Sequence, residues 1–429
     1  MQTNLSKREV DMKYITKISI LFLLPIFMFG RELYIGYGES AKSSPVEAVK
    51  EAYSMLPEEV KKPDFCVIYL SIGYDTKRVI KALRSLTGPK TKFYGGTSCL
   101  GVATPNGMLK NGLAILAFKS KRMSFGVGIC PVSKTTNGFS AGKKAIQMAI
   151  KDAGRKNEKP SIVLISPTPG IEEDVLKGIE SVIGNDVPIF GGSAADNEIN
   201  GKWKIFANHK VYSNGVSLAV IYTDLKIGYA FITGYKTTVK KGVATRAKGR
   251  TIYQIDNRPA GEVYNEWCSN AFSQQMKTGA SILGPASFTP LARRFVEKGT
   301  VSYITIHPSK ISPRDKSLQV FAEVNTGDTL YLLKGNKSIL LSRPASVGMA
   351  ALYQGRISPQ DLDGGILIYC AGTMLAVKDE LGNKGIPPLS TVLGGKPFIG
   401  AFTFGEQGFI RGIGSRHGNL MTSMIVFGE

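Results

Sequence analysis

The sequence has few of the residues that usually mark a metal site or a disulfide-stabilised fold. It contains three histidines among 429 residues, and its five cysteines show no C-x-x-C spacing. The cysteines lie mostly in apolar segments, which is typical of small buried side chains. The sequence therefore favours neither a zinc site nor a disulfide framework, and we expect no metal site.

No apolar run near the N-terminus is long enough to cross a bilayer comfortably. The uncharged run at residues 18–30 has thirteen residues, whereas a membrane-spanning helix needs about 20. Lys13 and Lys17 precede this run, and small residues follow it at residues 36–41. Such an arrangement is typical of a secretory signal. We expect residues 1–40 to be a signal peptide or, alternatively, a membrane anchor, and the protein to be exported to the periplasm or the extracellular space.

Acidic residues are scarce. The chain carries 33 Asp and Glu against 54 Lys and Arg, a formal net charge of +21, and residues 236–250 contain no acid at all. An anionic membrane or a cell-envelope surface is a possible partner for such a protein, and a solvated basic surface is the alternative. Nucleic acid is not expected as a partner, because no basic motif is interleaved with aromatic residues.

Glycine and proline are abundant, with 48 and 21 residues, and 43% of the chain is hydrophobic. Many short elements and turns follow from the first property and a folded core from the second. We predict an α+β fold of mixed β-sheets with flanking helices, divided into two or three domains.

A short pattern of an apolar strand running into glycine and small residues occurs three times, at residues 93–98, 190–193 and 398–403. The first two copies share an upstream strand and helix, which recur about 95 residues later, and two downstream strands, which recur about 103 residues later. We therefore predict a duplicated unit of strand, helix and strands, and a partial third copy in a C-terminal domain. A hairpin at residues 203–212 is expected only in the second copy.

The glycines of these repeats suggest a ligand site. Glycine after a buried strand permits positive φ and close backbone approach, so the first two loops are expected to meet at one small ligand. The alternative is that they form tight turns only. The candidate binding residues from these loops are Gly95, Gly96, Thr97, Ser98, Gly191, Gly192, Ser193 and Asp196.

Three stretches resemble the FIST superfamily of sensory domains. They lie at residues 188–196, at residues 253–260, and at residues 404–406 with 417–419. The likeness covers residues 64–429. It implies a FIST N-like domain with two pseudo-repeats at 64–258 and a FIST C-like domain at 259–429. Before them, an amphipathic pattern predicts an N-terminal helix and linker at 41–63.

The resemblance implies a protein that senses a small molecule, such as an amino acid or another carboxylate, rather than an enzyme. It adds Glu406 and Asn419 to the candidate binding residues. No output module is visible in the sequence, so a signal would pass to a separate, membrane-bound partner. The chain departs from the family at Thr373, because an arginine is common three residues after the cysteine that corresponds to Cys370.

Three alternative functions stay open at this point. Some bacterial FIST proteins bind haem and respond to nitric oxide, and His307 and His417 are the candidate haem ligands here; the cofactor is otherwise unknown. Ser98 or Cys99 in a glycine-supported turn is a candidate hydrolase nucleophile, although no G-x-S-x-G elbow surrounds Ser98. A basic scaffold that binds the cell envelope is the third.

Overall fold

The computed structural model describes residues 31–429, of which residues 32–429 form one compact unit. The predicted signal or anchor at residues 18–30 lies outside the described residues. Among residues 31–429, no helix is both long enough and apolar enough to cross a bilayer.

Three units of the chain share one order of elements. The first unit consists of β1 (Leu33–Ser40), α1 (Pro45–Ser54), β2 (Phe65–Ser71), α2 (Thr76–Thr87), β3 (Lys92–Ser98), β4 (Gly101–Thr104), β5 (Gly107–Lys110) and β6 (Leu113–Ser120). The second consists of β7 (Met123–Pro131), α3 (Gly138–Ala153), β8 (Ile162–Pro167), α4 (Glu172–Ile183), β9 (Ile189–Gly192), β10 (Ile205–Ala207), β11 (Lys210–Tyr212) and β12 (Gly215–Thr223).

The third unit begins with β13 (Lys226–Ile232) and is then interrupted by an inserted layer, residues 236–334. That layer consists of β14 (Lys236–Lys248), β15 (Thr251–Ile255), β16 (Arg258–Pro259), α5 (Ala260–Trp267), α6 (Ser273–Thr278), α7 (Leu283–Ala286), β17 (Leu291–Glu297), β18 (Thr300–Ile306), β19 (Pro308–Ile311), β20 (Leu318–Val320) and β21 (Thr329–Lys334). The unit resumes with α8 (Lys337–Gly355), β22 (Leu362–Cys370), α9 (Ala371–Val377), α10 (Ile386–Val392), β23 (Phe398–Thr403), β24 (Glu406–Ile410), β25 (Gly414–Gly418) and β26 (Thr422–Gly428).

Each unit forms a six-stranded mixed sheet that is completed by a hairpin from another unit. The strand orders are β1-β6-β2-β3-β10-β11, β7-β12-β8-β9-β24-β25 and β13-β26-β22-β23-β4-β5. In each sheet the two central strands β2 and β3, β8 and β9, or β22 and β23 are parallel, and the neighbouring pairs are antiparallel. The mixed α+β fold is therefore confirmed, and the three repeats of the sequence correspond to three sheets of one topology.

Two expectations about these units need correction. A hairpin follows the glycine-containing strand in all three units and not only in the second. Residues 33–40, expected to belong to the N-terminal targeting segment, form β1, which pairs with β6 over its whole length. Leu33 is fully buried, and a Cβ on Gly38 would lie 1.8 Å from the carbonyl oxygen of Ala52 in α1. This close packing makes β1 part of the folded protein.

The three sheets enclose a shared apolar core. Their inward side chains include Phe65, Phe118, Phe190, Ile366 and Phe427, all of them fully buried. Helices α1 and α2, α3 and α4, and α8 to α10 cover the outer faces and form separate clusters there. The inner and outer faces of each central strand are both buried, which explains why β2 and β22 are buried along their whole length.

The ends of β3, β9 and β23 meet at the centre of this arrangement. Three backbone hydrogen bonds close a ring there: Ala195 N to Thr97 O at 2.9 Å, Phe404 N to Ser193 O at 3.1 Å, and Cys99 N to Phe402 O at 3.0 Å. Each donor lies two residues after an acceptor of the same unit. The ring therefore relates Thr97, Ser193 and Phe402 as equivalent positions.

The glycine pairs of the repeats lie within β3 and β9 and not in open loops. A Cβ on Gly95 would lie 1.9 Å from Ile68 O, and one on Gly191 would lie 1.8 Å from Ile165 O. None of Gly95, Gly96, Gly191 and Gly192 has positive φ. Close approach of the neighbouring strands thus requires glycine at residues 95 and 191. The positive φ expected for the four glycines is not found.

The inserted layer is built around the long strand β14, which pairs with β15 and β21. The expected domain boundary at 258 and 259 falls between β15 and α5, inside this layer. The acid-free segment 236–250 divides into two parts. Lys236, Lys240 and Lys241 are exposed on β14, whereas Arg250 in the following turn is paired with two glutamates.

Candidate ligand-binding cavity

A small cavity lies where the second unit, the inserted layer and the third unit meet. Its volume is about 70 Å³, enough for on the order of five water molecules or a ligand with a similar number of non-hydrogen atoms. The lining residues are Pro169, Ile199, Arg250, Leu283, His307, Phe321, Cys370, Gly372, Leu375, Thr403, Phe404, Gly405 and Asn419. Most of this wall is apolar, with a few polar groups among it, as is usual for a small-molecule site.

The third unit supplies the floor of the cavity from the ends of its central strands. Strand β22 ends at Cys370, β23 ends at Thr403, and Asn419 follows β25. The turn between β23 and β24 requires glycine, because Gly405 has φ +117° and a Cβ there would lie 2.4 Å from His417 Cε1. This turn lets the backbone approach the cavity closely.

Arg250 supplies a cation on the opposite wall. Its Nη2 atom donates to Glu172 Oε2 at 2.6 Å and to Glu173 Oε2 at 2.8 Å. Within residues 31–429, neither Nε nor Nη1 of Arg250 makes a hydrogen bond. The N–H groups of these two nitrogens can therefore donate to a ligand. The arginine is held firmly, yet only part of its bonding capacity is used.

The two carboxylates lie in the first turn of α4 and have further donors. Glu172 accepts hydrogen bonds from the Ser193 hydroxyl and the Gly170 N–H, both at 2.8 Å. Glu173 accepts from the Glu323 N–H at 2.8 Å. Burial alone would raise the pKa of Glu173, but His417, Arg250 and this N–H lower it to about 2. Glu173 is therefore ionised at any physiological pH.

His307 offers an acceptor to the cavity. Its Nε2 atom lies 2.8 Å from the carbonyl oxygen of Leu283, which can only accept, so Nε2 carries the proton. Nδ1 then has a free lone pair, and a Cβ on Gly372 would lie 3.5 Å from it. Burial lowers the pKa of His307 to about 4, so the ring is neutral near pH 7.

A chain of side chains joins the cavity to the second unit. Asn419 Nδ2 lies 3.4 Å from His417 Nε2, and His417 Nδ1 lies 3.0 Å from Gln407 Nε2. Gln407 in turn contacts the hydroxyl of Ser193, which donates to Glu172. All of these groups are buried.

Ligand atoms of Glu172, Glu173 and His417 lie within 4.8 Å of one another, a spacing that a metal ion could use. Arg250 already binds both carboxylates, and a guanidinium at this place fills the role that a metal cation would have. The donor set therefore fits an ion pair better than a metal site.

Glu406 lies behind Thr403 and does not line the cavity. Its two oxygens accept from the Thr403 hydroxyl at 2.8 Å and the Met421 N–H at 2.9 Å. Complete burial raises the pKa of Glu406 to about 8. At neutral pH this group is therefore mostly a neutral carboxylic acid.

Comparison with protein families settles the relationship of the chain. A FIST N domain model matches residues 64–258, and a FIST C domain model matches residues 260–409. The chain belongs to the FIST family. FIST domains are sensory, ligand-binding domains. No curated protein proved similar to this chain.

Three solved structures resemble this FIST protein at low sequence identity. A cyanuric acid hydrolase from A. caulinodans is 9% identical over 92% of this chain and 100% of its own, with a TM-score of 0.37. A second cyanuric acid hydrolase is 10% identical over 93% and 100%, with a TM-score of 0.33. T. maritima PurL complexed with ATP is 8% identical over 92% and 71%, with a TM-score of 0.20.

The predicted binding residues of this FIST protein are distributed around the central ring, and one of them, Asn419, lines the cavity. Glu406 lies one hydrogen bond behind the wall, through Thr403, and Ser193 lies two hydrogen bonds behind it, through Glu172 and Arg250. Thr97 accepts from the Lys204 N–H at 2.9 Å and lies in the ring itself. The glycines Gly95, Gly96, Gly191 and Gly192 pack inside the strands, so the first two repeats do not form the expected paired half-sites around this cavity.

Ser98 has a structural partner on each side. Its hydroxyl donates to Gly101 O at 2.5 Å and accepts from the Phe402 N–H at 2.8 Å. At the equivalent positions, Thr97 N and Ser193 N bond directly to Lys204 O and Gly405 O, both at 2.9 Å. The Ser98 hydroxyl thus lies between the Phe402 N–H and the Gly101 carbonyl, whereas the equivalent N–H and carbonyl groups of the other two pairs bond directly to each other.

Asp196 shapes the mouth of the cavity. It is fully buried, and its carboxylate accepts hydrogen bonds from the N–H groups of Glu198, Ile199, Asn200 and Lys202. The loop so formed holds Ile199 at φ +56°, a conformation that β-branched residues rarely adopt. Ile199 lines the cavity and is 46% exposed, which places it at the rim.

The geometry of the cavity gives little support to haem binding or to a hydrolase activity. His307 lines the cavity and His417 lies beside it, but a porphyrin is many times larger than a volume of about 70 Å³. Burial, followed by the charge of Asp196, raises the pKa of the Cys99 thiol to about 12. Among the described residues, no histidine hydrogen-bonds to Ser98 or Cys99.

Sequence reasoning missed Arg250 as a site residue. The arginine belongs to a basic segment in which it resembles its neighbours, and its partners Glu172 and Glu173 are more than 70 residues away. Only the fold brings the turn after β14 to the start of α4. The adjacent acidic pair was the one local signal, and acidic residues are common in the first turn of any helix.

Proposed function

We propose that this FIST protein is an exported sensor that binds a small carboxylate-bearing molecule, an amino acid or another short acid, and passes its signal to a separate partner. The observation that carries the proposal is the guanidinium of Arg250 on the cavity wall, with Nη2 paired and the other two nitrogens free to donate. Family membership supports the sensory role.

A carboxylate matches the free part of this guanidinium. Two parallel N–H groups of arginine bind the two oxygens of a carboxylate, and such charge-assisted pairs are the strong ones among hydrogen bonds. Leu283, Phe321 and Phe404 supply apolar surface for a short carbon chain. The cavity volume limits the ligand to about the size of acetate, glycine or lactate.

The glutamates behind Arg250 do not prevent an anion from binding. Each carboxylate also accepts from backbone N–H or hydroxyl groups, and both lie at the N-terminus of α4, where the helix dipole stabilises negative charge. Glu172 is fully buried, the Glu173 side chain is 18% exposed, and neither residue lines the cavity. A ligand at Nε and Nη1 therefore meets the arginine first.

The test is isothermal titration calorimetry of the folded protein with acetate, propionate, lactate and alanine at low salt. We expect at least one of them to bind, and Arg250→Gln to weaken that binding at least tenfold because a charge-assisted pair is lost. Arg250→Lys should bind with intermediate affinity. Arg122→Gln, which breaks a surface pair with Asp224, is the charge-matched control.

Arg250→Gln leaves two buried carboxylates without their cation, so a lower unfolding temperature is expected and binding is measured well below it. Unchanged affinity in Arg250→Gln would contradict the role of Arg250. Absence of binding for every acid would contradict the proposal as a whole.

Export is the part of the proposal that rests on the N-terminal sequence. The basic residues and apolar run at residues 13–30 support it. Fractionation of cells that produce the full chain and a variant lacking residues 1–30 checks it. Export predicts that only the full chain reaches the extracytoplasmic fraction, and equal cytoplasmic amounts of both would contradict it.

A further inference from the structure

His307, on the cavity wall, has a hydrogen-bond acceptor, its Nδ1 atom, that is unpaired among residues 31–429. His307 is fixed by three contacts: Nε2 to Leu283 O at 2.8 Å, Nε2 near the Ser287 hydroxyl at 3.3 Å, and its backbone N–H to Asn419 Oδ1 at 3.2 Å. These contacts set both the tautomer and the position of the ring. Within the part of the chain that the structure describes, no group donates to Nδ1.

Nδ1 lies on the side of the ring next to Gly372, which also lines the cavity. A methyl group on Gly372 would lie 3.3 Å from Cε1 and 3.5 Å from Nδ1 of His307, and both residues line the same space. A ligand atom beside Gly372 is therefore within reach of the lone pair. Because buried acceptors are normally paired, this lone pair calls for a donor on the ligand.

The charges around the cavity decide which kind of donor fits. Neither aspartate nor glutamate is among the lining residues, and Arg250 is a cation on the same wall. The buried acids behind the wall already have partners: Glu406 accepts from Thr403 and Met421, Glu172 accepts from Arg250 and Ser193, and Asp196 accepts from the N–H groups of its own loop. An ammonium group would enter without a carboxylate partner and beside a like charge, which is unfavourable in a low-dielectric site. A hydroxyl group has no such penalty.

We propose that the ligand is a small hydroxycarboxylate, with its carboxylate on Arg250 and its hydroxyl donating to His307 Nδ1. The inference rests on the proposed function, because Arg250 must first bind a carboxylate. It narrows that function by separating hydroxy acids from amino acids of the same size. Glycolate and lactate have the size that the cavity admits.

The experiment compares two isosteric series on the wild-type protein by calorimetry: lactate, alanine and propionate, and glycolate, glycine and acetate. We expect the hydroxy acid of each series to bind at least tenfold more tightly than the other two members, because these either lack the donor or add an unpaired charge. Affinity for alanine or glycine equal to or above that of the hydroxy acid overturns the inference and leaves carboxylate binding intact. Silence in both series overturns carboxylate binding itself.

Two variants assign the preference to His307. His307→Phe keeps the ring volume but removes Nδ1, so the lactate-to-propionate ratio should fall to about one while propionate still binds. Gly372→Ala keeps the histidine and adds a methyl group 3.1 Å from Leu420 Cδ2 and 3.3 Å from His307 Cε1, so these two side chains must shift by a small amount; it should weaken lactate at least tenfold. A lactate preference that persists in folded His307→Phe overturns the role of His307, and circular dichroism establishes that each variant is folded.

Discussion

Ser98 holds two units together through its hydroxyl group. The hydroxyl lies between the Gly101 carbonyl and the Phe402 N–H, and all three groups are buried at the central ring. Removing the hydroxyl leaves a donor and an acceptor without partners and without access to water. The consequence is a loss of stability and not of binding.

We therefore expect Ser98→Ala to lower the free energy of unfolding by about 2 kcal/mol, measured by urea denaturation. Ligand affinity should stay unchanged, because Ser98 does not line the cavity. Ser85→Ala on the exposed face of α2 is the control and should change stability little. Equal stability of the two variants would show that the bridge contributes nothing.

Glu406 gives the fold a dependence on pH that can be isolated. Its pKa is about 8 in the folded protein against an ordinary value of 4.5, so the folded state retains a proton that the unfolded state has already lost. Stability from this group is complete below pH 4.5 and is lost as the pH rises through 8. Between pH 6.5 and 8.5 the folded protein should lose about 2 kcal/mol of unfolding free energy.

The check is urea denaturation of the wild type and of Glu406→Gln across that range. Glutamine reproduces the neutral acid and still accepts from Met421 N, so the variant should have a flatter profile. His307 does not complicate this window, because its loss of stability falls between about pH 6.5 and 4, where the unfolded histidine binds a proton and the folded one does not. A slope that is equal in both proteins would contradict the raised pKa.

At the scale of elements, the loop of residues 196–202 shapes the cavity mouth and contains a strained backbone conformation that lowers the stability of the fold. The Asp196 carboxylate gathers four N–H groups and keeps Ile199 in the left-handed region. Backbone strain of this kind, at about 1–2 kcal/mol per residue, tends to persist at functional sites.

Ile199→Gly should relieve that strain and raise the free energy of unfolding by about 1 kcal/mol, while weakening ligand binding several-fold because part of the rim is lost. Lys298→Gly is the matched control, since Lys298 has φ +46° in the exposed turn between β17 and β18. It should gain stability without any change in affinity. If both variants bind the ligand as the wild type does, Ile199 has no part in the site.

Sequence reasoning succeeded where the determining contacts are local. Strands such as β2 and β22 and helices such as α2 follow from apolar runs and helical periodicity within a dozen residues, and Asp75 caps α2 through its own side chain. The order of FIST motifs added Asn419 to the site. Glu406 was also singled out, and it lies one residue behind the wall.

The errors concern contacts between distant residues. Strand β4 pairs with β23, about 300 residues away, so nothing near Gly101 indicates which sheet its hairpin will join, although Asn106-Gly107 is a local signal for the turn itself. Strand β1 follows directly after the predicted apolar signal, and its glycines resemble those of a signal cleavage region. Only the folded structure shows that Gly38 packs against α1. Arg250 was hidden among surface lysines for the same reason.

At the scale of the whole molecule, β1 fixes where the folded protein begins. It forms the edge of the first sheet, with eight residue pairs to β6, and α1 packs directly on its Gly38. A chain that starts at Leu33 keeps these contacts, and a chain that starts at residue 41 loses them. Leu33 is fully buried and Ile35 nearly so, so their removal exposes the inner core as well.

We expect a variant consisting of residues 33–429 to unfold cooperatively, and residues 41–429 to show a lower unfolding temperature by 10 °C or more, or not to fold at all. Differential scanning calorimetry of both truncations provides the measurement. Identical transitions would mean that β1 is dispensable, and any signal cleavage could then fall after it.

The exchange of hairpins sets the order in which the chain can mature on the ribosome. The first sheet is completed by β10 and β11 and the second by β24 and β25, and both hairpins are synthesised after the strands that they join. The third sheet instead incorporates β4 and β5, which are synthesised long before its own strands. Neither the first nor the second sheet is therefore complete when its own unit has been made. The nascent chain carries open sheet edges until its last thirty residues emerge, so a chaperone that shields such edges would act on this protein for most of its synthesis.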